Sequence, residues 1–491
     1  MVKRAGGALL LAVSIDPDAP RSVSSQLHIA LRELIVSGAV AAGERLPASR
    51  TLARELKVSR TTVIEAYDRL TAEGLIESRV GAGAYVCAGL RVPAPAPRAP
   101  IPPASGGTVR LSAAMTQVLP RLADRSRLPS TARAFTTALP AFDAFPLALW
   151  ARLAARHWRS ARNDVMGYGE PFGYAPLRQA IALHLRANRG IACDAAQVFI
   201  VGGAQQAFQL VATMLLDPGD RVWFENPGAI GARNSLAAAG AELVPVPLDE
   251  QGLRVDEGLR LAPQFRLAFV TPSHQQPMGT VMSLPRRMAL LQAAADQGAW
   301  IIEDDYDGEF AFGGPPLPTL KSVDDGGRVI YVGTFSKSLF PSLRLGYLLL
   351  PAALVQPFEA VMSRLMHGVP THGQAVTAAF IDEGHFAAHL RRMRRLYAER
   401  HDALCHAARA RLAGALDIVP GASGLHTIGR LSAGHAEADV VRAADALQVT
   451  VSGLARFAIA PTAERALVLG FGGVTPTQIE RGVEVLERVL V

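Results

Sequence analysis

Cysteine is scarce in this sequence. Cys87, Cys193 and Cys405 are the only three, too few and too scattered for a disulfide framework or a CxxC-type metal cluster. A reducing compartment, the cytoplasm, is expected. Long apolar runs are missing too: no segment reaches the ~20 uninterrupted apolar residues of a membrane span, so no membrane partner is expected. The nearest imitation is N-terminal, where Lys3 and Arg4 precede the apolar run Ala8 to Val13. That run stops at Asp16-Pro17-Asp18 without a small-x-small cleavage site, which argues against a signal peptide and for a short opening strand. Internal repeats are absent as well.

What is present is ordinary globular material, 49% hydrophobic and 19% charged, in a chain long enough for several units. The net charge of +7 is local. Residues 1–88 carry 11 basic and 9 acidic side chains, residues 89–130 carry 6 and 1, and the remainder balances at 33 and 33. The excess lies in and just after the N-terminal module, where it would meet phosphates or only keep a linker solvated. A compositional break at Ala88 opens that linker. Its eight prolines between 89 and 130 predict no regular helix or strand. From 131 onward, helical runs alternate with short apolar runs such as VFIVGG, WIIEDD and VIYVGTF, the mark of an α/β domain with a mainly parallel sheet. The chain thus divides into three segments: 1–88, 89–130 and 131–491.

In the first segment, Leu27, Ala30, Leu31, Leu34 and Ile35 form one helical stripe ended by Gly38. A second helix begins in LPASRTLARELK with Ser49 as N-cap, and Lys57-Val58-Ser59 leads into a third helix, RTTVIEAYDRLTAEG. The strands LIESR and AYV then flank a Val80-Gly81-Ala82-Gly83 tip. This is a winged helix-turn-helix. The stretch GERLPASRTLARELKVSRTTVIEAYDRLTAEGLIESRVGAGAYV resembles the GntR-type winged helix over some forty residues. The resemblance implies that Arg50, Ser59, Arg60, Thr61 and Thr62 lie against the major groove and phosphates of an operator, with the wing near Gly81 reaching the minor groove. Val80 stands where a polar wing residue is common.

The second half carries four elements of another kind. In VIYVGTFSKSLFPSLRLGYLLL a strand runs through a small-residue turn to Lys337, then Arg344, then another strand, with Thr334 and Ser336 offering hydroxyls. In WIIEDDYDGEF a strand ends in consecutive carboxylates that repel unless a cation or protonated ring is near. In VFIVGGAQQAFQLVATMLL a glycine turn opens a helix at Gly203, Ala204 and Gln205. In VTPSHQQPMGTVMS, His274, Gln275 and Gln276 occupy a turn before Pro277 and Gly279, placed to touch a ring oxygen, although a plain β-α turn explains them almost as well. Together they fit pyridoxal phosphate, which needs an amine (Lys337), an anion at the pyridine nitrogen (Asp304), a donor to the ring oxygen (Tyr306, with His274 and Gln275) and a phosphate nest. A metal at the carboxylates is the weaker reading, because no histidine is near in sequence.

The order and spacing of these elements resemble fold-type-I aminotransferases, and with the winged helix in front the chain resembles the MocR subfamily of GntR regulators. The resemblance implies a mainly parallel large subdomain, an α+β small subdomain, and a head-to-tail, domain-swapped homodimer in which Tyr168 reaches a partner's phosphate site. Two positions depart from the pattern. Ala229 stands where an aromatic ring normally stacks on the cofactor, and Val468 stands where a carboxylate-binding arginine is usual, with Arg430, Arg442 and Arg456 as substitutes. The expected function is transcription regulation in which a small amine or amino acid exchanges with Lys337 in an aldimine. No catalytic residue is assigned. The alternatives are a catalytic aminotransferase with an accessory DNA-binding domain, and a sensor of pyridoxal phosphate itself. The run RRMRRLYAER at 391–400 reads as a solvated helix face or a second DNA patch, and histidines 367, 372, 385, 389 and 401 read as surface.

Overall fold

The computed structural model describes residues 13, 15–16, 19–79, 83–88, 111–124, 132–159, 163–312, 318–421 and 423–491. The expected opening strand and the wing tip with Val80 and Gly81 lie outside these, apart from Val13. The chain forms two compact units, residues 1–110 and 111–491.

In the first unit, helices α1 (Val23–Val36), α2 (Ser49–Glu55) and α3 (Arg60–Ala72) precede strands β1 (Ile76–Arg79) and β2 (Gly83–Val86). Leu27, Leu31 and Ile35 of α1 pack on Leu52, Val63, Ala66 and Leu70. That apolar cluster holds α2 and α3 together across a tight turn in which Lys57 takes φ 55°. The Ser59 hydroxyl caps α3 by accepting from the Thr62 N–H at 3.0 Å. Ser49, expected as the cap of α2, is instead its first residue; Ala48 occupies the cap position without a side-chain bond. The strands pair antiparallel, with Ile76 opposite Val86 and Arg79 opposite Gly83.

The second unit is built on an eight-stranded sheet in the order β3-β10-β9-β8-β7-β4-β5-β6. Its members are β3 (Val198–Val201), β4 (Arg221–Asn226), β5 (Glu242–Asp249), β6 (Gly252–Leu253), β7 (Leu267–Val270), β8 (Trp300–Asp305), β9 (Val329–Thr334) and β10 (Gly346–Leu349). The run β9-β8-β7-β4-β5 is parallel, and β10 lies antiparallel between β9 and β3. Every residue of β3, β7 and β10 is buried, as a sheet covered on both faces requires. Alternate residues of β3 divide between the two faces: Val198 and Ile200 join one core, Phe199 and Val201 the other. A smaller antiparallel sheet, β11 (Leu416–Ile418), β12 (His426–Leu431), β14 (Ala466–Gly470) and β13 (Ser452–Gly453) in that order, packs with helices His385–Arg411 and Pro476–Leu490.

Two expectations are corrected. The 89–130 segment contains a helix, Ala113–Val118, capped by Ser112. Six of its eight prolines crowd into 93–103, which leaves 104–119 free to turn, and Asn234 anchors the chain beyond the helix through both backbone groups of Ala123. Secondly, His389 and His401 are buried. Within 391–400, Met393, Tyr397 and Arg400 face inward, and Arg400 bonds Asp143 and the Gly472 carbonyl while Arg391 and Arg392 remain exposed.

Candidate functional site

The register of the large sheet explains why distant motifs meet. Gly346 sits opposite both Thr334 and Val201, and Asp305 opposite Gly333, so the turns after β3, β8 and β9 open at one edge. There the helix Ala204–Leu215 begins after Gly203, at φ 100°, and the Ala204 N–H at its first position has no preceding helical carbonyl to reach. The Arg344 guanidinium lies 3.6 Å from where a Gly203 Cβ would be, and it has no ion-pair partner among the described residues. Thr334 Oγ1 donates to Ser336 Oγ at 3.1 Å beside it. A cationic fork, a helix N-terminus and hydroxyls converge there, an anion cradle. Gln205 enters it only through its backbone, because its side chain donates to Gly231 O at 2.9 Å and to Ser235.

Tertiary packing sorts the run of carboxylates into separate tasks. Glu303 accepts from the Leu320 and Lys321 N–H groups at 2.8 and 2.7 Å and serves the fold. Asp305 forms a buried ion pair with Arg189 and accepts from Tyr331. Asp307 Oδ2 lies 3.0 Å from His274 Nδ1. Asp304 makes no such side-chain bond to a described residue, and its buried Oδ1 has no partner. Burial, reinforced by Asp305 and Asp307, holds its carboxyl well above the usual range, while Lys337 pulls it back.

Lys337, whose charge acts on Asp304, borders a cavity of about 50 Å³. Lys337, Tyr306, Gln276, His426, Thr137 and Val468 contribute to its wall. The Lys337 amine donates to the Ala138 carbonyl at 2.7 Å. The Tyr306 hydroxyl meets His274 Nδ1 at 3.0 Å, and burial with the nearby Asp307 and Asp304 charges pushes its ionisation up. His426 is pushed down to about 4 by burial and by His274. Two histidines thus stand beside Asp307 in space, although none is near it in sequence. His274, Asp307 and His426 offer ligand atoms within 4.8 Å of one another, but each already has protein hydrogen bonds, His426 through Pro277 O at 3.2 Å.

Several expected residues land elsewhere. Gln275 is a structural pin: its Nε2 donates to Glu225, Pro227 O and Gln276 O, and its Oε1 accepts from the Met278 N–H. Gln276, from the same turn, contributes to the cavity wall instead. Tyr168, expected to serve a partner's site, is 87% exposed. Ala229 is buried, and Phe457, whose carbonyl accepts from the Gly228 N–H at 3.0 Å, supplies an aromatic wall. His389 reaches the Ser338 carbonyl, one residue from Lys337, at 3.0 Å, and burial lowers its pKa to about 4. Thr137, His426 and Phe457 come from separate loops and strands, so no local motif announces them. Asp307 is the exception, since it shares the strand-end motif with Asp304.

In the first unit Arg50, Ser59, Arg60 and Thr61 are exposed, and Thr62 is half-buried. Ser59 Oγ and Thr62 Oγ1 are 2.8 Å apart and cap one helix, so their hydroxyls are partly committed. Arg45 beside Gly83, and Arg79 stacked on Tyr85 at 4.6 Å, add basic groups at the wing that sequence reading had not selected.

Residues 24–86 match the gntR family of bacterial regulatory proteins and residues 140–486 match aminotransferase class I and II. The chain is 41% identical, over 96% of its length and 94% of the other's, to a protein named the probable rhizopine catabolism regulatory protein MocR of Rhizobium meliloti. This chain belongs to the MocR subfamily of GntR regulators. The regulator TauR of Rhodobacter capsulatus is 34% identical over 80% of each chain. Among solved structures, the α-aminoadipate aminotransferase LysN of Thermus thermophilus, complexed with N-(5'-phosphopyridoxyl)-L-leucine, superposes with a TM-score of 0.67 at 28% identity, covering 77% of this chain and 94% of LysN. The MocR-type architecture therefore joins a GntR helix-turn-helix, a DNA-binding family, to an aminotransferase fold whose relatives imply pyridoxal phosphate. No described helix is long and apolar enough to cross a membrane.

Proposed function

We propose that this MocR-type protein is a cytoplasmic transcription regulator that binds operator DNA through its winged helix and answers a small primary amine through pyridoxal phosphate held by Lys337. The observation that carries the cofactor reading is Asp304 Oδ1, a buried carboxyl oxygen without a partner among the described residues, in a side chain near enough to Lys337 to feel its charge. A pyridine N–H would satisfy it. Arg344, the Gly203 and Ala204 N–H groups, Thr334 and Ser336 would hold the phosphate, and Tyr306, backed by His274 and Asp307, would donate to the ring oxygen.

Pyridoxal phosphate supplies an aldehyde carbon that condenses reversibly with primary amines. Lys337 would hold that carbon, and the Ala138 carbonyl, which its amine meets at 2.7 Å, would be the acceptor for the lysine whenever another amine occupied the site. Filling the cavity favours one arrangement of the small subdomain, and that difference in affinity between two states is the signal. We assign sensing rather than turnover, in line with the regulator relatives. Leu147, Met166, Tyr168 and Leu365 are 67–87% exposed, an apolar display suited to a second copy; this supports a head-to-tail homodimer in which Tyr168 completes the partner's site. Lys337→Ala tests the reading: it removes the visible cofactor band and the amine response of DNA binding, while DNA binding itself, carried by the other unit, persists. A variant that responds normally sinks it.

A further inference from the structure

The wall of the cavity beside Lys337 shows what kind of amine it accepts. Apart from Lys337 itself, whose place the amine must take, none of the described residues in that wall is a cation. Val468, where an arginine could have reached in, is 1% exposed and fixed in mid-sheet between Ile428 and Ser452. The candidate substitutes are all directed elsewhere. Arg430 pairs with Glu464, Arg442 with Asp439, and Arg456 donates to the Asp124 carbonyl at 3.1 Å. Arg344 belongs to the anion cradle. Asp307, by contrast, puts a carboxylate into the same wall.

A ligand carboxylate delivered here would be buried beside Val468 and a like charge, with no counter-ion, which is the costly case for a buried ion. The neutral polar groups point the other way. Thr137 and Gln276 contribute to the cavity wall, and neither the Thr137 hydroxyl nor the Gln276 amide makes a side-chain hydrogen bond to a described residue. His426 spends Nε2–H on the Pro277 carbonyl, which leaves Nδ1 as an acceptor of the neutral ring. A donor, an acceptor and a group that is both are thus arrayed around the position of the incoming amine. Hydroxyl groups, which donate and accept, match that set without introducing charge.

We infer that the effector is a small primary amine bearing hydroxyl groups and no carboxylate, an amino alcohol or amino polyol selected by Thr137, Gln276 and His426. This rests on the reading of Lys337 as the cofactor lysine. Full-length protein loaded with pyridoxal phosphate is titrated with matched pairs in which hydroxymethyl replaces carboxylate, serinol against L-serine and D-serine and alaninol against alanine. The readouts are the cofactor absorption band and anisotropy of labelled promoter DNA. At least a tenfold lower half-saturation is expected for each amino alcohol than for its amino acid. Gln276→Leu lowers amino-alcohol affinity about tenfold with little effect on the amino acids, and Val468→Arg, if it folds, reverses the preference. Equal or stronger binding of the amino acids to the wild type overturns the effector class and leaves the cofactor reading standing. Absence of any cofactor band overturns both.

Discussion

Asp304→Asn makes the sharpest test of the cofactor pocket, because the protein without cofactor and the loaded protein respond with opposite signs. Without cofactor, Asp304 is a buried carboxyl with an unsatisfied oxygen, its pKa raised by burial and by Asp305 and Asp307. A raised carboxyl pKa means that the folded state binds a proton the unfolded state has released. Stability is therefore lost as pH rises above the unfolded value of 3.8. Asparagine is neutral throughout and removes that loss. The asparagine amide is as unpartnered as the carboxyl, so the gain is the proton linkage alone, about 1.4 kcal/mol for each tenfold by which folding tightens the proton on Asp304, and at ~2.1 cal/mol/K per residue each kcal/mol shifts the melting temperature of a unit this size by roughly 1 °C. The cofactor-free variant should melt about 1–4 °C above wild type at pH 7, with the gap closing toward pH 4. With cofactor at a hundred times its dissociation constant the wild type gains ~2.7 kcal/mol, and the variant should gain far less, because the carboxylate that pairs with the ring nitrogen is gone. Differential scanning fluorimetry with and without cofactor across pH reads both effects. A cofactor-free variant no more stable than wild type, or one stabilised equally by cofactor, would falsify the assignment.

Other expectations rest on the same geometry. Arg50→Ala and Arg60→Ala each weaken operator binding by about 1–3 kcal/mol if they read bases, and if they hold phosphates they also flatten the salt dependence; anisotropy at several salt concentrations separates the two. His426 and His389, each lowered to about 4, fold as neutral rings. Their contribution is whole above pH 6.5 and is lost as pH falls toward 4, about 2 kcal/mol each at pH 5; His426→Asn should flatten the acid limb of the stability profile, and an unchanged limb refutes the assignment. Gly424 has φ 82°, and a Cβ there would sit 2.2 Å from His274 Cε1. Gly424→Ala should therefore cost about 1–3 kcal/mol and weaken cofactor binding by prising His274 from Asp307, measurable by melting and by absorbance titration.

The sequence alone determined the units and their chemical vocabulary. The α1 stripe, the Ser59 cap and the glycine after β3 are local: helical periodicity, capping and left-handed backbone are decided within a few residues, so they can be read along the chain. The strand-end motifs held Lys337, Asp304 and Arg344 for the same reason. Tertiary structure alone decided what those groups face. Three of four neighbouring carboxylates were neutralised by Arg189, His274 and backbone N–H groups from distant segments, and only that packing left Asp304 open. Gln275 and Gln276 are adjacent in sequence, yet one pins Glu225 and the other meets the cavity, because a turn sends successive side chains in opposite directions. The proline count that argued against a helix at 113–118 failed because the spacing of the prolines, not their number, sets whether a turn can form. Above all, an empty arginine position at Val468 is only an absence in sequence. Burial and charge make it part of a wall with no cation besides Lys337 among the described residues, because they depend on which residues from β12, β14 and the loops share one space.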